Sequence, residues 1–127
     1  MINKKLLIGS MIAVIATLAI PTGIAHSSAC SIIGTAGNDN ISGTDDSDCI
    51  DGLAGNDKIQ SGDSGDFVIP GDGADRVNTG DGDDFIVMTD DDDVDRVNCG
   101  DGDDTVIYLG AADPDDVLHD CETVRTV

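Results

Sequence analysis

The chain has 127 residues and a formal net charge of −20 at neutral pH, from 26 acidic and only 6 basic side chains. This balance excludes nucleic acid and anionic membrane surfaces as natural partners and favours cations. Because aromatic residues make up only 2% of the chain, composition also permits disorder. Composition therefore does not distinguish a disordered chain from a folded one, and the order of the residues has to be considered.

The first segment, residues 1–29, is typical of a secretory signal peptide. Two lysines precede an apolar run at 6–20, and a tail of small residues follows. The run is too short and wrongly flanked for a membrane span, so no span is expected. We expect cleavage after Ala25 or Ala29 and a secreted, extracellular protein; removing the two lysines from the charge of −20 leaves −22. Cleavage after Ala29 would expose Cys30, which leaves a lipid-anchored form open.

From about residue 30 onwards the chain repeats every nine residues. Nine-residue units begin at 34, 43, 52, 61, 70, 79 and 99, and eleven-residue units begin at 88 and 108. The sixth place of each unit is predicted to hold Asp39, Asp48, Asp57, Asp66, Asp75, Asp84, Asp95, Asp104 and Asp115. The eighth place is predicted to hold Ile41, Ile50, Ile59, Val68, Val77, Ile86, Val97, Val106 and Val117.

One β-branched residue every nine positions cannot form the apolar face of a helix. It fits a three-residue strand whose central side chain points inwards, followed by a six-residue turn of Gly, Asn and Asp. Two units then close one flattened coil, and the eighth-place residues form two facing rows. Each buried Ile or Val contributes about 1.5–3 kcal/mol, whereas ordering costs ~1–2 kcal/mol for every residue. This thin core needs further stabilisation at the turns.

The sixth-place aspartates predict what that stabilisation is. Stacking of alternate units places Asp39, Asp57 and Asp75 along one edge of the coil, and Asp48, Asp66, Asp84 and Asp104 along the other. These carboxylates repel one another unless a cation lies between adjacent turns. Ca²⁺ accepts flexible coordination by oxygen atoms more readily than Mg²⁺.

At these residues the sequence resembles the RTX, or haemolysin-type, calcium-binding repeat G-G-x-G-x-D-x-U-x. The units that match best are GLAGNDKIQ, PGDGADRVN, TGDGDDFIV and CGDGDDTVI. The resemblance covers essentially all of residues 30–127. It implies an all-β fold, a right-handed parallel β-roll, with about three to six calcium ions between turns on the same edge. We expect affinities near ~10⁻⁴–10⁻³ M, the range for extracellular modules.

The resemblance also implies a set of metal-binding residues. These are the sixth-place Asp39, Asp48, Asp57, Asp66, Asp75, Asp84 and Asp104, with the fourth-place Gly37, Gly55, Gly73, Gly82 and Gly102. The best pairs are expected to be Asp57 with Asp75, and Asp84 with Asp104. Asp46 and Ser64 replace the fourth-place glycine, and the eleven-residue units alter two further turns, so weaker sites are expected there.

Four cysteines lie near the two ends of the repeat array. Cys30 precedes a partial unit in which Ile32 falls in the strand column, two units before Cys49; Cys99 and Cys121 are also two units apart. Both pairs are therefore within reach of a disulfide that caps an open end, and we predict Cys30–Cys49 and Cys99–Cys121. Four cysteines permit three pairings, so other pairings and free thiols remain alternatives.

The predicted function is a calcium-folded structural or interaction module without catalytic activity. His119 has no nucleophile around it and is expected to be a surface residue. One alternative is an accessory module to a secreted or surface enzyme. The other is ice binding through second-place threonines, but Thr35, Thr44 and Thr89 form an interrupted row. The sequence leaves open a cell-surface or extracellular protein partner but does not identify it.

Overall fold

The computed structural model describes residues 30–127, which form eleven short strands and no helix; the predicted signal peptide lies outside this part of the chain. Among the described residues there is accordingly no helix that could cross a membrane. Strands β1 to β11 are Ile32–Ile33, Asn40–Ser42, Cys49–Asp51, Lys58–Asp63, Phe67–Ile69, Arg76–Asp81, Phe85–Thr89, Arg96–Asn98, Thr105–Leu109, Val117–His119 and Thr123–Thr126.

Successive strands alternate between two parallel sheets. The odd-numbered strands form a six-stranded sheet in the order β1-β3-β5-β7-β9-β11, and the even-numbered strands form a five-stranded sheet in the order β10-β8-β6-β4-β2. Strands two apart pair so that equal places of the repeat lie side by side, as in Ile59 beside Val77. The fold is a β-solenoid of about five turns, and the prediction of an all-β parallel coil is confirmed.

The core lies between the two sheets and consists of the predicted eighth-place rows. In β5, Val68 is fully buried whereas Phe67 and Ile69 on either side are partly exposed, because neighbouring residues of a strand face opposite ways. The buried row of the six-stranded sheet comprises Ile50, Val68, Ile86 and Val106, and that of the five-stranded sheet comprises Ile41, Ile59, Val77 and Val97. On the outer face Phe67 and Phe85 stack with ring centroids 5.5 Å apart, as their shared place in the repeat predicts.

The register of the last eleven-residue unit differs from the prediction by one residue. Leu118, not Val117, pairs with Val97 and packs against the core, while Val117 is 47% exposed. Asp116 consequently takes the sixth place that we assigned to Asp115. The assignments of Asp115 and Val117 were therefore wrong, because a shift of one residue turns a strand over.

One more unit follows, which the repeat analysis did not identify. Thr123 pairs with Thr105 and Val124 with Val106, so Glu122 occupies a sixth place. At the other end Ile32 pairs with Ile50, which confirms the partial first unit.

Both predicted disulfides are present. Cys30 is bonded to Cys49, and Cys99 to Cys121, with Cα–Cα distances of 4.6 and 5.2 Å. Each bond joins neighbouring coils at one end of the solenoid, so the covalent links lie where a terminal strand has only one neighbour to pair with.

Candidate metal-binding turns

Turns stack along two edges of the solenoid. The first edge carries the turns that lead from the six-stranded to the five-stranded sheet, and the second edge carries the turns that lead back. The sixth-place residues of the first edge are Asp39, Asp57, Asp75, Asp95 and Asp116, and those of the second edge are Asp48, Asp66, Asp84, Asp104 and Glu122.

On both edges, one carboxylate oxygen of each sixth-place residue after the first accepts a hydrogen bond from the coil before it. The backbone N–H of Asp57, for example, donates to Oδ1 of Asp75 over 2.7 Å, and that of Asp84 donates to Oδ1 of Asp104 over 2.8 Å. The same bond recurs at every step, as far as Asp95 N–H to Oδ1 of Asp116 and Asp104 N–H to Oε2 of Glu122. The predicted stacking of the aspartates into two ladders is confirmed.

The second carboxylate oxygen separates one group of turns from the rest. In five turns Oδ2 is buried and has no hydrogen-bond partner, and the aspartate as a whole is no more than 3% exposed. We call these the open turns; their aspartates are Asp57, Asp66, Asp75, Asp84 and Asp104. A buried carboxylate oxygen without a donor is costly unless a proton or a cation compensates it.

The backbone of the open turns has one shared conformation. Each has positive φ at both its second and its fourth place, a region that glycine adopts without strain. The second-place residues are Leu53, Gly62, Gly71, Gly80 and Gly100, with φ from 76 to 122°, and the fourth-place residues are Gly55, Ser64, Gly73, Gly82 and Gly102, with φ from 72 to 147°. Ser64 therefore takes the glycine conformation, and the turn of Asp66 keeps the shape of the others.

Close packing between coils adds a second requirement for glycine at Gly80. A Cβ atom placed there would lie 2.1 Å from the carbonyl oxygen of Gly62 in the neighbouring turn. This contact shows how tightly the backbones of successive turns on one edge approach each other. A Cβ atom at Gly52 would meet both the carbonyl oxygen of Pro70, at 2.2 Å, and Oδ2 of Asp57, at 2.7 Å, so a backbone carbonyl of the next coil lies close to a sixth-place carboxylate.

Burial and mutual repulsion both favour the neutral form of these carboxyl groups. The pKa of Asp75 is raised from 3.8 to about 7, chiefly by burial, and the charges of Asp57, Asp91 and Asp72 contribute to this rise. The pKa of Asp95 is also raised to about 7, again chiefly by burial. Burial also raises the pKa of Asp57, Asp84 and Asp104. Bound cations would favour the ionised form instead.

Within residues 30–127 no three side chains of His, Cys, Asp or Glu converge on one point as a metal cluster. An ion at the open turns would therefore be held by one or two carboxylates, with backbone carbonyls as the other ligands. Such an all-oxygen set suits a hard cation of flexible coordination and does not suit zinc or copper. The residues present therefore fit calcium.

The first turn of each edge is built differently. The N–H and the hydroxyl group of Thr35 donate to Oδ2 of Asp39 over 2.6 and 2.9 Å, and Thr44 makes the same two bonds to Asp48. Both aspartates are partly exposed. Of the seven predicted metal-binding aspartates, five thus have an uncompensated oxygen and two do not. For all seven the metal role remains a prediction.

Comparison with known proteins identifies one family. Residues 31–59 match the model of the RTX calcium-binding nonapeptide repeat, in four copies. No curated protein and no solved structure matches the chain. The resemblance inferred from the repeat is therefore confirmed for this segment, and the same coil geometry continues to β11. RTX repeats are structural calcium-binding elements.

Proposed function

We propose that this protein is a secreted calcium-binding module whose solenoid is held together by ions at the open turns, and that it has no catalytic activity. The observation that carries the proposal is the set of five buried carboxylate oxygens without a hydrogen-bond donor. The match to the RTX repeat supports calcium as the ion. We expect about three to six ions, each shared by neighbouring turns on one edge.

Calcium would have a structural role here. The coil is thin, and its sixth-place carboxylates follow one another along each edge with only hydrogen bonds to backbone N–H groups between them. A divalent ion neutralises the repulsion and links consecutive turns. Since ions bind the folded coil and not the unfolded chain, their binding energy contributes directly to folding.

Extracellular calcium would then act as the signal to fold after export. Two disulfides fit an oxidising compartment, and the predicted leader fits secretion. Weak sites of ~10⁻⁴–10⁻³ M would fill outside the cell, where calcium is plentiful, and stay empty inside it. An accessory role beside an enzyme remains the alternative, since such a role uses the same calcium-folded coil.

Equilibrium dialysis of the oxidised protein against calcium, with and without excess magnesium, tests the proposal. We expect saturable binding of several calcium ions that magnesium does not displace. Asp104→Asn should lower the number of bound ions, because it removes a buried carboxylate. Asp101→Asn is the matched control, since Asp101 lies in the same turn but is exposed. Equal loss in both variants, or no calcium bound by the unaltered protein, would contradict the proposal.

A further inference from the structure

Three features distinguish the first turn of each edge from the open turns. Their aspartate Oδ2 atoms have donors. Neither turn has a residue with positive φ. Both carry threonine at the second place, where four of the five open turns have glycine. The three features occur together in both turns and are absent from all five open turns.

We infer that the turns of Asp39 and Asp48 bind no calcium and are closed by the hydroxyl groups of Thr35 and Thr44 instead. This inference rests on the proposed function and refines it, because it divides the RTX-like turns into those that need an ion and those that do not. We call these two the threonine turns. The ion sites then belong to the open turns.

The side chain of the second-place residue determines the difference. A β-branched residue strongly disfavours positive φ, and neither second-place threonine adopts it. In the conformation that Thr35 does adopt, its N–H points at Oδ2 of its own turn, 2.6 Å away. At the equivalent place in an open turn, Leu53 has φ of 76°, and its N–H donates to Asp51 instead of Asp57. The Oδ2 atom of Asp57 is thereby left without a donor.

The hydroxyl group completes the replacement of the ion. Oγ1 of Thr35 donates to the carboxylate over 2.9 Å and accepts the N–H of Gly37 over 3.1 Å, which closes the turn on itself. Thr44 makes the same pair of contacts with Asp48 and Asp46. Gly37 is free to adopt positive φ but does not, so the threonine and not the fourth-place residue sets the shape of the turn.

The threonine turns lie together in the first coil of the solenoid, at the end that carries a disulfide. Each is the first turn of its edge within the described residues, and their coil carries the Cys30–Cys49 disulfide. A disulfide and two self-closed turns form a coil that does not depend on calcium. The next coil can add to it when ions arrive. The match to the RTX family covers both threonine turns, so the family pattern alone does not show which turns bind an ion.

A hydroxyl group closes the last turn of the first edge as well. The phenol of buried Tyr108 donates to Oδ2 of Asp116 over 3.0 Å. Both ends of that edge thus use a hydroxyl donor where its interior leaves Oδ2 of Asp57 and Asp75 unpartnered.

Counting bound calcium by native mass spectrometry at saturating calcium tests the inference in the full, oxidised chain. Asp39→Asn should bind as many ions as the unaltered protein, whereas Asp75→Asn should bind at least one fewer. Thr35→Gly should gain one ion, because it gives the first unit glycine at the first, second and fourth places, as in the RTX pattern. Thr35→Ser is the matched control and should gain none, since serine retains the hydroxyl group.

Loss of an ion in Asp39→Asn equal to that in Asp75→Asn would overturn the inference and leave the proposed function standing. If Asp39→Asn fails to fold, the Thr35 variants decide: equal ion counts in Thr35→Gly and Thr35→Ser would overturn the role of the threonine. No calcium bound by any variant or by the unaltered protein would overturn the proposed function itself, and this inference with it.

Discussion

The first coil, which carries the two threonine turns, has the same nine-residue repeat as the interior coils. The sixth-place carboxylates of the two regions, however, are stabilised in different ways. In the first coil, side-chain hydroxyls and N–H groups satisfy the sixth-place carboxylates of Asp39 and Asp48. In the open turns of the interior coils, the aspartates are no more than 3% exposed and the equivalent oxygens have no donor. Local hydrogen bonds thus suffice where the turn is partly exposed, whereas a fully buried ladder of like charges needs cations.

Calcium removal should produce the largest effect. We expect chelation to lower the hydrogen-exchange protection of amides in β4 to β9 by about 100-fold, if calcium is initially ~100-fold above its Kd. Protection in β2 and β3 should change less, because a disulfide and the threonine turns hold the first coil. Hydrogen exchange followed by mass spectrometry measures both regions at once. A uniform loss across all strands would remove the distinction between the two regions.

Loss of the Cys30–Cys49 disulfide should destabilise the first coil selectively. The bond joins residues 19 apart, and a bond of this span stabilises by about 3 kcal/mol. In the double variant Cys30→Ser, Cys49→Ser with calcium present, β2 and β3 should lose protection while β5 to β9 keep it. The double variant Cys99→Ser, Cys121→Ser serves as the comparison and should affect the opposite end.

Alanine at Gly80 should destabilise the interior by about 1–3 kcal/mol, because φ there is 93° and the new Cβ would meet the carbonyl oxygen of Gly62. Gly37→Ala, at the fourth place, is the comparison in the first coil, because the second place there holds threonine. Gly37 lacks positive φ, and its nearest neighbour to a new Cβ is 3.8 Å away. That variant should be neutral or slightly stabilising, by up to ~1 kcal/mol. Urea unfolding in calcium would measure both, and equal losses would show that the two turns share one conformation.

Acid should partly replace calcium in the interior, and this effect should be the smallest. Asp75 and Asp95 have pKa values raised to about 7 in the metal-free fold, above the ordinary 3.8. The folded state therefore binds more protons than the unfolded state between these values, so stability is present at low pH and is lost as the pH rises through about 7. Without calcium, thermal unfolding should occur at higher temperature near pH 5 than near pH 8. The opposite order would mean that these carboxyl groups are not buried in the metal-free protein.

Much of this fold follows directly from the sequence. The columns of aspartate and β-branched residues predicted the two sheets, their parallel stacking and both disulfides, because a nine-residue period leaves few other ways to bury one apolar residue per unit. The stacking of Phe67 on Phe85 followed from the same register.

The last unit could not be placed in the same way. In the stretch from Asp115 to Leu118, either aspartate can take the sixth place, and β-branching favoured Val117 for the core. In the register that the structure adopts, the hydroxyl group of Tyr108 donates a hydrogen bond to Asp116. This bond spans a turn of irregular length. Glu122 was missed because the other sixth places hold aspartate, although it lies eighteen residues after Asp104.

The division of the site into open and threonine turns was also not predicted. In the sequence the second-place threonines form an interrupted row, and the conformational preference of a β-branched residue separates them from the glycines at the same place. That preference was the signal available in the sequence. The burial of the interior carboxylates, by contrast, depends on the neighbouring coils above and below each turn and is visible only in three dimensions.

Far-UV circular dichroism of the oxidised protein during calcium titration tests the central claim most directly. Starting from the chelated protein, we expect a weak β signal from the first coil that grows several-fold with calcium and does not grow with the same concentration of magnesium. A spectrum unchanged by calcium would contradict the account, because the interior carboxylates would then be satisfied without an ion.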